Sequence, residues 1–416
     1  MEEEHAAKAP LPDAFLQFLE TNGLDPSIYT AIDSTPRYIR LKPGFESCIE
    51  EVEAEVKCKL EKLEWLPGFY SLPPHVQIAG SRAYREGKIY GIDAASGAAV
   101  MALNISPGDH VLDLCAAPGA KLCMILDLLG DSGSVAGVDV ARHRLAACRT
   151  MLQKYMIGGR CRLFVADGTA FSVIPSGFCS DCKSCESGLE GRVDVFKEWT
   201  SRRPWKERKK ANKSGTAQLV SRSQPPELIY YGQHSGVVGL TKGELYRTLS
   251  DNEIANHGYD KVLVDAECTH DGSVKHIQKF EDWGWGTLQR RLNLLTNGFR
   301  LLKVGGSLVY STCSLTIAQN EDVVEQFLKE NETAELTEID AASDWPCKGG
   351  RIPKTWRFDP LTSQTSGLFV AKFTKMHEEV CRLRIIYTSL SIECSINLDW
   401  HLTYESEYDK TKFEKK

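Results

Sequence analysis

The chain has 416 residues, a length that suits one large domain or two modest ones. Its 42% hydrophobic and 25% charged residues are ordinary for a globular protein, and its net charge of −6 argues against a uniformly basic nucleic-acid binder. A core of this size needs no disulfide framework, so the 14 cysteines indicate reduced thiols in an intracellular protein, nuclear or cytoplasmic. The sequence has neither the apolar run of about 18 residues that a membrane span requires nor the basic and apolar start of a signal peptide.

Residues 1–80 predict a small α+β module at the start of the chain. Residues 11–33 have the pattern of an amphipathic helix followed by a turn, and Arg37–Leu41 has that of a strand. Ser47–Leu60 predicts a second helix, with a serine N-cap and a glutamate three residues later as in a capping box. Leu66–Leu72 contains a proline and a glycine and predicts turns.

From residue 105 onward the pattern changes to alternating strands and helices. The predicted strands are His110–Cys115, Ser134–Val140, Arg162–Asp167, Tyr259–Ala266, Ser307–Tyr310 and Gly367–Phe373. The predicted helices are Gly119–Leu129, Ala141–Met156, Thr287–Leu302 and Ala318–Lys329. This alternation is typical of an α/β fold with a doubly wound parallel sheet. We expect the domain to cover residues 81–375 and a C-terminal tail to cover residues 376–416.

The connection between Asp167 and Asp260 is much longer than the about a dozen residues that such a connection normally needs. It is rich in Ser, Gly, Lys, Arg and Pro. We therefore expect a largely flexible insertion at about residues 172–256, with ordered segments near Tyr230 and Leu245.

Two patterns within the insertion leave alternatives open. Cys179, Cys182 and Cys185 are spaced like zinc ligands, but structural zinc needs four ligands and His234 is only a conceivable fourth, so we do not expect a metal. Residues 196–213 carry eight Lys or Arg against two Glu, a local charge of +6, with two tryptophans among them. Such a stretch suits single-stranded RNA, through phosphate contacts and base stacking, and equally suits a solvated loop.

Three of the predicted strands end in residues that suit a ligand. The first runs into Asp-Leu-Cys-Ala-Ala-Pro-Gly-Ala-Lys at 113–121, where small residues let a ligand approach and the next helix presents free N–H groups. Asp139 ends the second strand, where it can accept from ribose hydroxyls, and Asp167 ends the third, near an adenine edge. One such aspartate is usually a turn or a helix cap, but three together favour an adenosine ligand. S-adenosylmethionine fits this pattern, and other nucleotides remain alternatives.

Two cysteines follow two further predicted strands. Cys268 lies in Asp-Ala-Glu-Cys-Thr at 265–269, and Cys313 lies in Ser-Thr-Cys-Ser at 311–314. Residues at this edge of an α/β sheet face the ligand crevice. Two thiols there suggest covalent chemistry in which one thiol attacks and the second assists. The simpler alternative is that both cysteines are small buried residues.

These motifs resemble those of the NOL1/NOP2/Sun (RsmB-like) RNA cytosine-C5 methyltransferases. The segments that carry the resemblance are 113–121, 265–269, 311–314, Tyr84–Ser96 and the closing Gly367–Phe373. The resemblance covers residues 80–375 apart from the insertion. It implies a Rossmann-like S-adenosylmethionine-dependent methyltransferase sheet and an N-terminal module that positions RNA.

The resemblance also implies roles for individual residues. Cys313 would be the nucleophile that adds to cytosine C6, Cys268 would help to expel the enzyme after methylation, and Asp265 would contact the ring at N3 and the amino group. The residues implied to hold S-adenosylmethionine are Cys115, Ala116, Ala117, Pro118, Gly119, Ala120, Lys121, Asp139, Arg144, Asp167 and Asp265. The implied partner is RNA, with tRNA favoured over rRNA, and we expect a monomer that needs no metal and no membrane.

Two residues depart from the family pattern. Glu267 stands where the family usually has proline before the first cysteine, and Ala120 replaces the second glycine of the cofactor loop. A DNA cytosine-C5 methyltransferase is disfavoured, because those enzymes attack from a Pro-Cys pair and lack the second cysteine. A catalytically decayed relative that acts as an RNA-binding scaffold remains an alternative because of Glu267, although Cys313 and Asp265 are intact.

Overall fold

The computed structural model describes residues 11–33, 35–175, 225–247, 249–273 and 288–381. The chain begins with α1 (Asp13–Thr21) and a 3-10 helix, Pro26–Asp33. An antiparallel sheet follows, made of β1 (Arg37–Leu41), β2 (Glu61–Lys62), β3 (Phe69–Leu72) and β4 (Ile89–Gly91). Its strand order is β2-β3-β1-β4, and it is accompanied by α2 (Ile49–Val56) and α3 (Arg82–Arg85).

The structure corrects three predictions for this N-terminal module. The helix predicted over Ser47–Leu60 is limited to α2, and its capping box does not form because Glu46–Cys48 make a 3-10 turn and leave Cys48 as the N-cap. Part of the predicted turn segment Leu66–Leu72 is the strand β3, since pairing with β1 outweighs the local turn pattern. The module also extends past residue 80, because β4 pairs with the other edge of β1.

A ten-stranded sheet forms the core of the remaining chain. Its strands are β5 (His110–Asp113), β6 (Ser134–Asp139), β7 (Cys161–Val165), β8 (Glu227–Tyr231), β9 (Tyr259–Asp265), β10 (Leu302–Thr312), β11 (Ala334–Thr337), β12 (Lys348–Gly349), β13 (Thr355–Phe358) and β14 (Leu368–Lys375). The strands β7-β6-β5-β9-β10 are parallel neighbours in this order, flanked by antiparallel β8 on one side and antiparallel β14 on the other. The chain passes from β5 outward to β6 and β7 and then crosses back to β9 on the other side of β5. This change of direction confirms the predicted doubly wound, Rossmann-like α/β fold.

Helices cover both faces of this sheet. They are α4 (Ala94–Ala102), α5 (Ala120–Leu129), α6 (Arg142–Lys154), α7 (Lys242–Leu245), α8 (Asp251–His257), α9 (Leu288–Leu301), α10 (Glu321–Glu330) and α11 (Pro360–Ser363). Side chains of α4, α5 and α6 belong to one buried cluster, and side chains of α9 and α10 belong to another. The strand β9 separates the two, because Leu263 joins the first cluster while Val262 and Val264 join the second.

The described part of the predicted insertion is built into the fold. Edge strand β8 pairs with β7, and α7 and α8 each begin with a complete capping box. The ordered segments predicted near Tyr230 and Leu245 are confirmed, because backbone pairing with the sheet holds β8 and a helix cap holds α7. The cysteines at 179, 182 and 185, the basic stretch 196–213 and the tail after residue 381 lie outside the described residues. No helix among the described residues is long and apolar enough to cross a membrane.

A buried ion pair joins the N-terminal module to the larger domain. Arg40 Nε on β1 lies 3.5 Å from Asp127 Oδ2 on α5, and both side chains are at most 5% exposed. Tyr90 on β4 donates a hydrogen bond of 2.9 Å to the same carboxylate oxygen. Leaving either buried charge without its partner costs about 3–5 kcal/mol, so this network fixes how the module sits against α5.

Candidate active site

The candidate site forms where β9 and β10 end side by side. Ser311 of β10 stands opposite Asp265 of β9 in the parallel register, so the segments that follow them emerge together. The two cysteines that follow are consequently neighbours, with 3.2 Å between Cys268 Sγ and Cys313 Sγ. This edge is also where β5 and β6 end, and two clefts open there.

The first cleft has an empty volume of about 650 Å³ and lies over the ends of β5, β6 and β9. Its walls combine small or apolar residues with three carboxylates and two guanidinium groups around the open space. The lining residues are Leu114, Cys115, Ala117, Asp139, Val140, Arg144, Gly168, Asp265, Ala266, Glu267, His270, Arg290, Leu294 and Cys313. An elongated ligand with both polar and apolar parts suits such walls.

Hydrogen bonds to Asp139 and Arg144 hold the loop that follows β5. The Asp139 carboxylate accepts from the backbone N–H of Ala117 at 3.2 Å and of Ala141 at 2.8 Å. Arg144 donates through Nη2 to the carbonyl oxygen of Ala117 at 2.9 Å. Gly119 is required for the close approach of this loop to α6, because its φ is +113° and a Cβ there would lie 3.0 Å from Cys148 Cα. Asp139 and Arg144 therefore shape the cleft as well as line it.

The second cleft has an empty volume of about 1110 Å³ and lies between the N-terminal module and the sheet edge. Its lining residues are Pro36, Arg37, Tyr38, Ile39, Ile78, Gly91, Ile92, Asp93, Ser96, Lys121, Asp265, Ser273, Cys313, Ser366, Gly367 and Leu368. Of the described part of the chain, Asp265 and Cys313 alone line both clefts. A ligand in one cleft would therefore meet a ligand in the other at these two side chains.

Lys121 lies on the second cleft, away from the cofactor-loop position expected for it. Lys121 Nζ donates to Asp265 Oδ2 at 2.7 Å, and Ser311 Oγ donates to Asp265 Oδ1 at 2.7 Å. Burial lowers the pKa of Lys121, but the charge and hydrogen bond of Asp265 outweigh it and the pKa is raised overall. The long side chain of Lys121 thus reaches across to Asp265 and lines the second cleft, whereas the first cleft is lined by other residues of the predicted cofactor loop.

Cys313 lies at the centre of a chain of hydrogen-bonding groups. Besides Cys268, it contacts His270, whose Nδ1 lies 2.9 Å from Cys313 Sγ. The hydrogen bond with Cys268, and then burial, raise the pKa of the Cys313 thiol well above its ordinary value. The loop after Cys268 is tied to the same place, since Gly272 donates its N–H to the carbonyl oxygen of Cys313 at 2.8 Å.

The Cys268, His270 and Cys313 side chains are the ligand types of a zinc site, and their ligand atoms lie within 4.8 Å of one another. The geometry is nevertheless that of hydrogen bonding. A tetrahedral zinc with bonds of about 2.3 Å to sulfur and about 2.0 Å to nitrogen separates its ligand atoms by about 3.5–3.8 Å. The observed 3.2 Å and 2.9 Å are shorter, so these residues do not fit a metal as they stand.

The predicted site residues divide into three groups, of which Lys121, on the second cleft alone, is the smallest. Those on the first cleft are Cys115, Ala117, Asp139, Arg144, Asp265 and Cys313. Those that line neither cleft are Ala116, Pro118, Gly119, Ala120, Asp167 and Cys268; Asp167 accepts instead from Thr169, beside the lining residue Gly168. The lining residues that were not predicted from the sequence include His270, Arg290 and Leu294, and Glu267 was noted only as a departure from the family motif. The closeness of His270 to Cys268 in sequence was the one available signal, whereas Arg290 lies on a helix remote from every motif.

Asp113, at the end of β5, lies beneath the clefts and is 1% exposed. Burial, and next the Asp265 carboxylate, raise the pKa of Asp113 from 3.8 to about 7. Between about pH 4 and pH 7 the folded protein keeps a proton on Asp113 that the unfolded chain releases. The stabilising contribution of this proton is present at low pH and is lost as the pH rises through about 7.

Asp113→Asn is expected to remove this pH dependence. Asparagine keeps the shape of the side chain and stays neutral, so the free energy of unfolding of the variant should rise relative to the native protein by up to about 4 kcal/mol between about pH 4 and pH 8. Urea unfolding followed by circular dichroism at several pH values measures the difference. A difference that stays constant with pH would contradict the assigned cause.

Comparison with known proteins agrees with the motifs and the sheet order. Residues 100–181 and 243–374, about half of the chain, match the family model of the 16S rRNA methyltransferase RsmB/F. The chain is 24% identical over 326 residues to the rRNA (cytosine-C(5))-methyltransferase NOP2C of Arabidopsis thaliana, covering 70% of this chain and 53% of that protein. It is 22% identical over 347 residues to the tRNA (cytosine(49)-C(5))-methyltransferase of Pyrococcus abyssi, covering 79% of this chain and 84% of that protein.

Among solved structures, a methyltransferase homologue from Pyrococcus horikoshii shares the fold, with a TM-score of 0.55 and 20% identity over 88% of this chain and 100% of that chain. This chain spans about half the length of NOP2C, 53% of it, and most of the length of the Pyrococcus abyssi protein. The family model, the motifs and the sheet order together show that the chain belongs to the RsmB/F methyltransferase family, the NOL1/NOP2/Sun group that its motifs resemble.

Proposed function

We propose that this chain is an S-adenosylmethionine-dependent methyltransferase that forms 5-methylcytosine in RNA through a covalent bond between Cys313 and cytosine C6. The observation that carries the proposal is the pair of clefts that share Asp265 and Cys313 as a common wall. Methyl transfer needs two ligands whose reacting atoms meet at one point, and a nucleophile within reach of both. The family and the names of its relatives favour RNA cytosine as the acceptor.

The residues of the first cleft fit the methyl donor. Arg290 is partly buried in its wall, and its Nε has no hydrogen-bond partner among the described residues, so a carboxylate of the ligand would satisfy it. Asp139 has acceptor capacity left for ribose hydroxyls, and Leu114 and Leu294 offer an apolar surface for an adenine ring. When bound, S-adenosylmethionine supplies an electrophilic methyl group on sulfur.

The second cleft suits the target base. Asp265 presents a carboxylate that is held by Lys121 and Ser311, and a fixed polar group of this kind can orient the N3 and amino edge of cytosine. The N-terminal module supplies the opposite wall, including Arg37 and Tyr38. This arrangement supports the proposed role of the module in positioning RNA.

Two thiols in contact support the proposed covalent mechanism. Cytosine C5 is a weak nucleophile, and addition of the Cys313 thiolate to C6 makes C5 electron-rich enough to attack the methyl group. The product is released when the C5 proton leaves to a base and the C6–sulfur bond breaks. Cys268 lies 3.2 Å from Cys313 and is proposed to assist this release.

We propose tRNA as the substrate class in preference to rRNA. The Pyrococcus abyssi relative, named for tRNA, is matched over 84% of its length, whereas NOP2C, named for rRNA, is matched over 53%. We take the relative that is matched over more of its length as the better guide to the substrate.

Bisulfite sequencing of RNA from cells with and without this protein tests the proposal. We expect specific cytosines in tRNA to lose their methylation and to regain it when the native chain, but not the Cys313→Ala variant, is restored. Loss of methylation in rRNA alone would overturn the substrate assignment. Unchanged methylation, combined with RNA that still binds the purified chain, would support the decayed relative that acts as a scaffold.

A further inference from the structure

We infer that His270 is the general base that removes the thiol proton of Cys313 and keeps it as an imidazolium beside the thiolate. This inference rests on the proposed function, because it assigns a further catalytic residue to the same site. His270 Nδ1 lies 2.9 Å from Cys313 Sγ, which is direct hydrogen-bonding contact with a reacting atom.

The donors and acceptors around Cys313 point to the direction of this hydrogen bond. Cys313 has one S–H proton, and two hydrogen-bond partners, Cys268 and His270. If Cys313 donates to His270 Nδ1, Cys268 donates to Cys313 and both contacts are satisfied. His270 then carries its ring proton on Nε2 and presents Nδ1 as an acceptor.

The backbone holds the His270 ring in this position. His270 has a φ of +54°, in the left-handed region that residues with a side chain rarely adopt. Ser273 donates its N–H to the carbonyl oxygen of His270 at 2.9 Å, and Gly272 donates to the carbonyl oxygen of Cys313. The turn that contains His270 is therefore tied to the segment that carries the nucleophile.

Cys313 needs a base because its surroundings oppose ionisation. The hydrogen bond with Cys268, and then burial, raise the pKa of the Cys313 thiol, and the nearby carboxylates of Asp265 and Asp271 act in the same direction. Lys121 lies close enough to interact with the thiolate charge. Glu267 and Arg290 of the first cleft complete the charged groups that face the pair.

Attack on C6, methyl transfer and release each move a defined proton or electron pair. The S–H bond of Cys313 breaks, its proton forms an N–H bond at His270 Nδ1, and the sulfur electron pair forms the bond to cytosine C6. The C5–C6 electron pair takes the methyl group and the donor leaves as a neutral thioether. Release of the C5 proton to a base expels Cys313 as a thiolate. The imidazolium of His270 stabilises this thiolate as the C6–sulfur bond breaks.

Alkylation of Cys313 by iodoacetamide, followed by peptide mass spectrometry across pH, tests the inference in the free full-length chain. His270→Gln and His270→Gly are the test variants, and glycine accepts the left-handed backbone without strain. We expect either variant to slow Cys313 alkylation at neutral pH by about 10²-fold. Added imidazole should partly rescue His270→Gly. His143 is an exposed histidine on α6, and the control variant His143→Gln should leave the rate of Cys313 alkylation unchanged.

Methyl transfer to RNA provides the second measurement. We expect both variants to lower kcat by about 10²-fold with little change in KM, and to lose the acidic limb of the pH–rate profile. Unchanged alkylation in both variants would overturn the role of His270 without affecting the proposed function. Slowed alkylation in both variants, together with a native chain that transfers no methyl group to any RNA, would overturn the proposed function instead.

Discussion

Cys313→Ala is expected to abolish methyl transfer from S-adenosylmethionine to RNA, and Cys268→Ala is expected to accumulate a covalent protein–RNA adduct. Alanine at 313 removes the only atom that bonds to cytosine C6 in the proposed mechanism, so the rate should fall by about 10⁴-fold or more. Alanine at 268 leaves this attack intact but removes the thiol that lies 3.2 Å away and assists release. The adduct should therefore form and persist.

Denaturing gel electrophoresis with labelled RNA separates these outcomes. The Cys268→Ala band should shift to the mass of protein plus RNA, whereas Cys313→Ala and the double variant should give no shift. Cys347→Ala is a suitable control, because Cys347 packs against the core and lines neither cleft. An adduct with Cys313→Ala and none with Cys268→Ala would reverse the two roles and make Cys268 the nucleophile.

The second large effect is expected from Asp265→Asn. Among the residues that the structure describes, Asp265 and Cys313 alone face both clefts, and the Asp265 carboxylate pairs with the partly buried Lys121. The amide keeps the shape but loses the charge that stabilises the base during attack. We expect kcat to fall by about 10²–10³-fold with a smaller change in the KM for RNA.

Two companion variants make this measurement specific. Ser311→Ala removes one hydrogen bond of 2.7 Å to Asp265 and should cost less, about 10-fold in kcat. The double variant Lys121→Met, Asp265→Asn should lower kcat by less than the product of the two single-variant effects. The reason is that each substitution removes the same Lys121–Asp265 ion pair. Full activity and full adduct formation in Asp265→Asn would exclude a contact of Asp265 with the reacting base.

Local sequence patterns were sufficient to predict the catalytic sheet. The parallel strands β5, β6, β7, β9 and β10 lie within a few residues of their predicted bounds, because each is a buried apolar run bordered by turn residues. The predictions that failed depended on distant partners. Leu66–Leu72 was predicted as turns, yet Phe69–Leu72 forms β3 because it pairs with β1.

The amino-acid sequence by itself determined the family, the sheet and the position of Cys268 and Cys313 at the ends of adjacent strands, because these follow from short-range periodicity and motifs. Only the tertiary structure decided which groups meet. Lys121 and Asp265 are 144 positions apart and His270 and Cys313 are 43 apart, and no local pattern relates them. The second cleft likewise depends on the packing of the N-terminal module against the larger domain, to which the Arg40–Asp127 pair contributes. Contacts between residues distant in sequence are set by how whole elements pack, and that packing places the second cleft and His270 at the nucleophile.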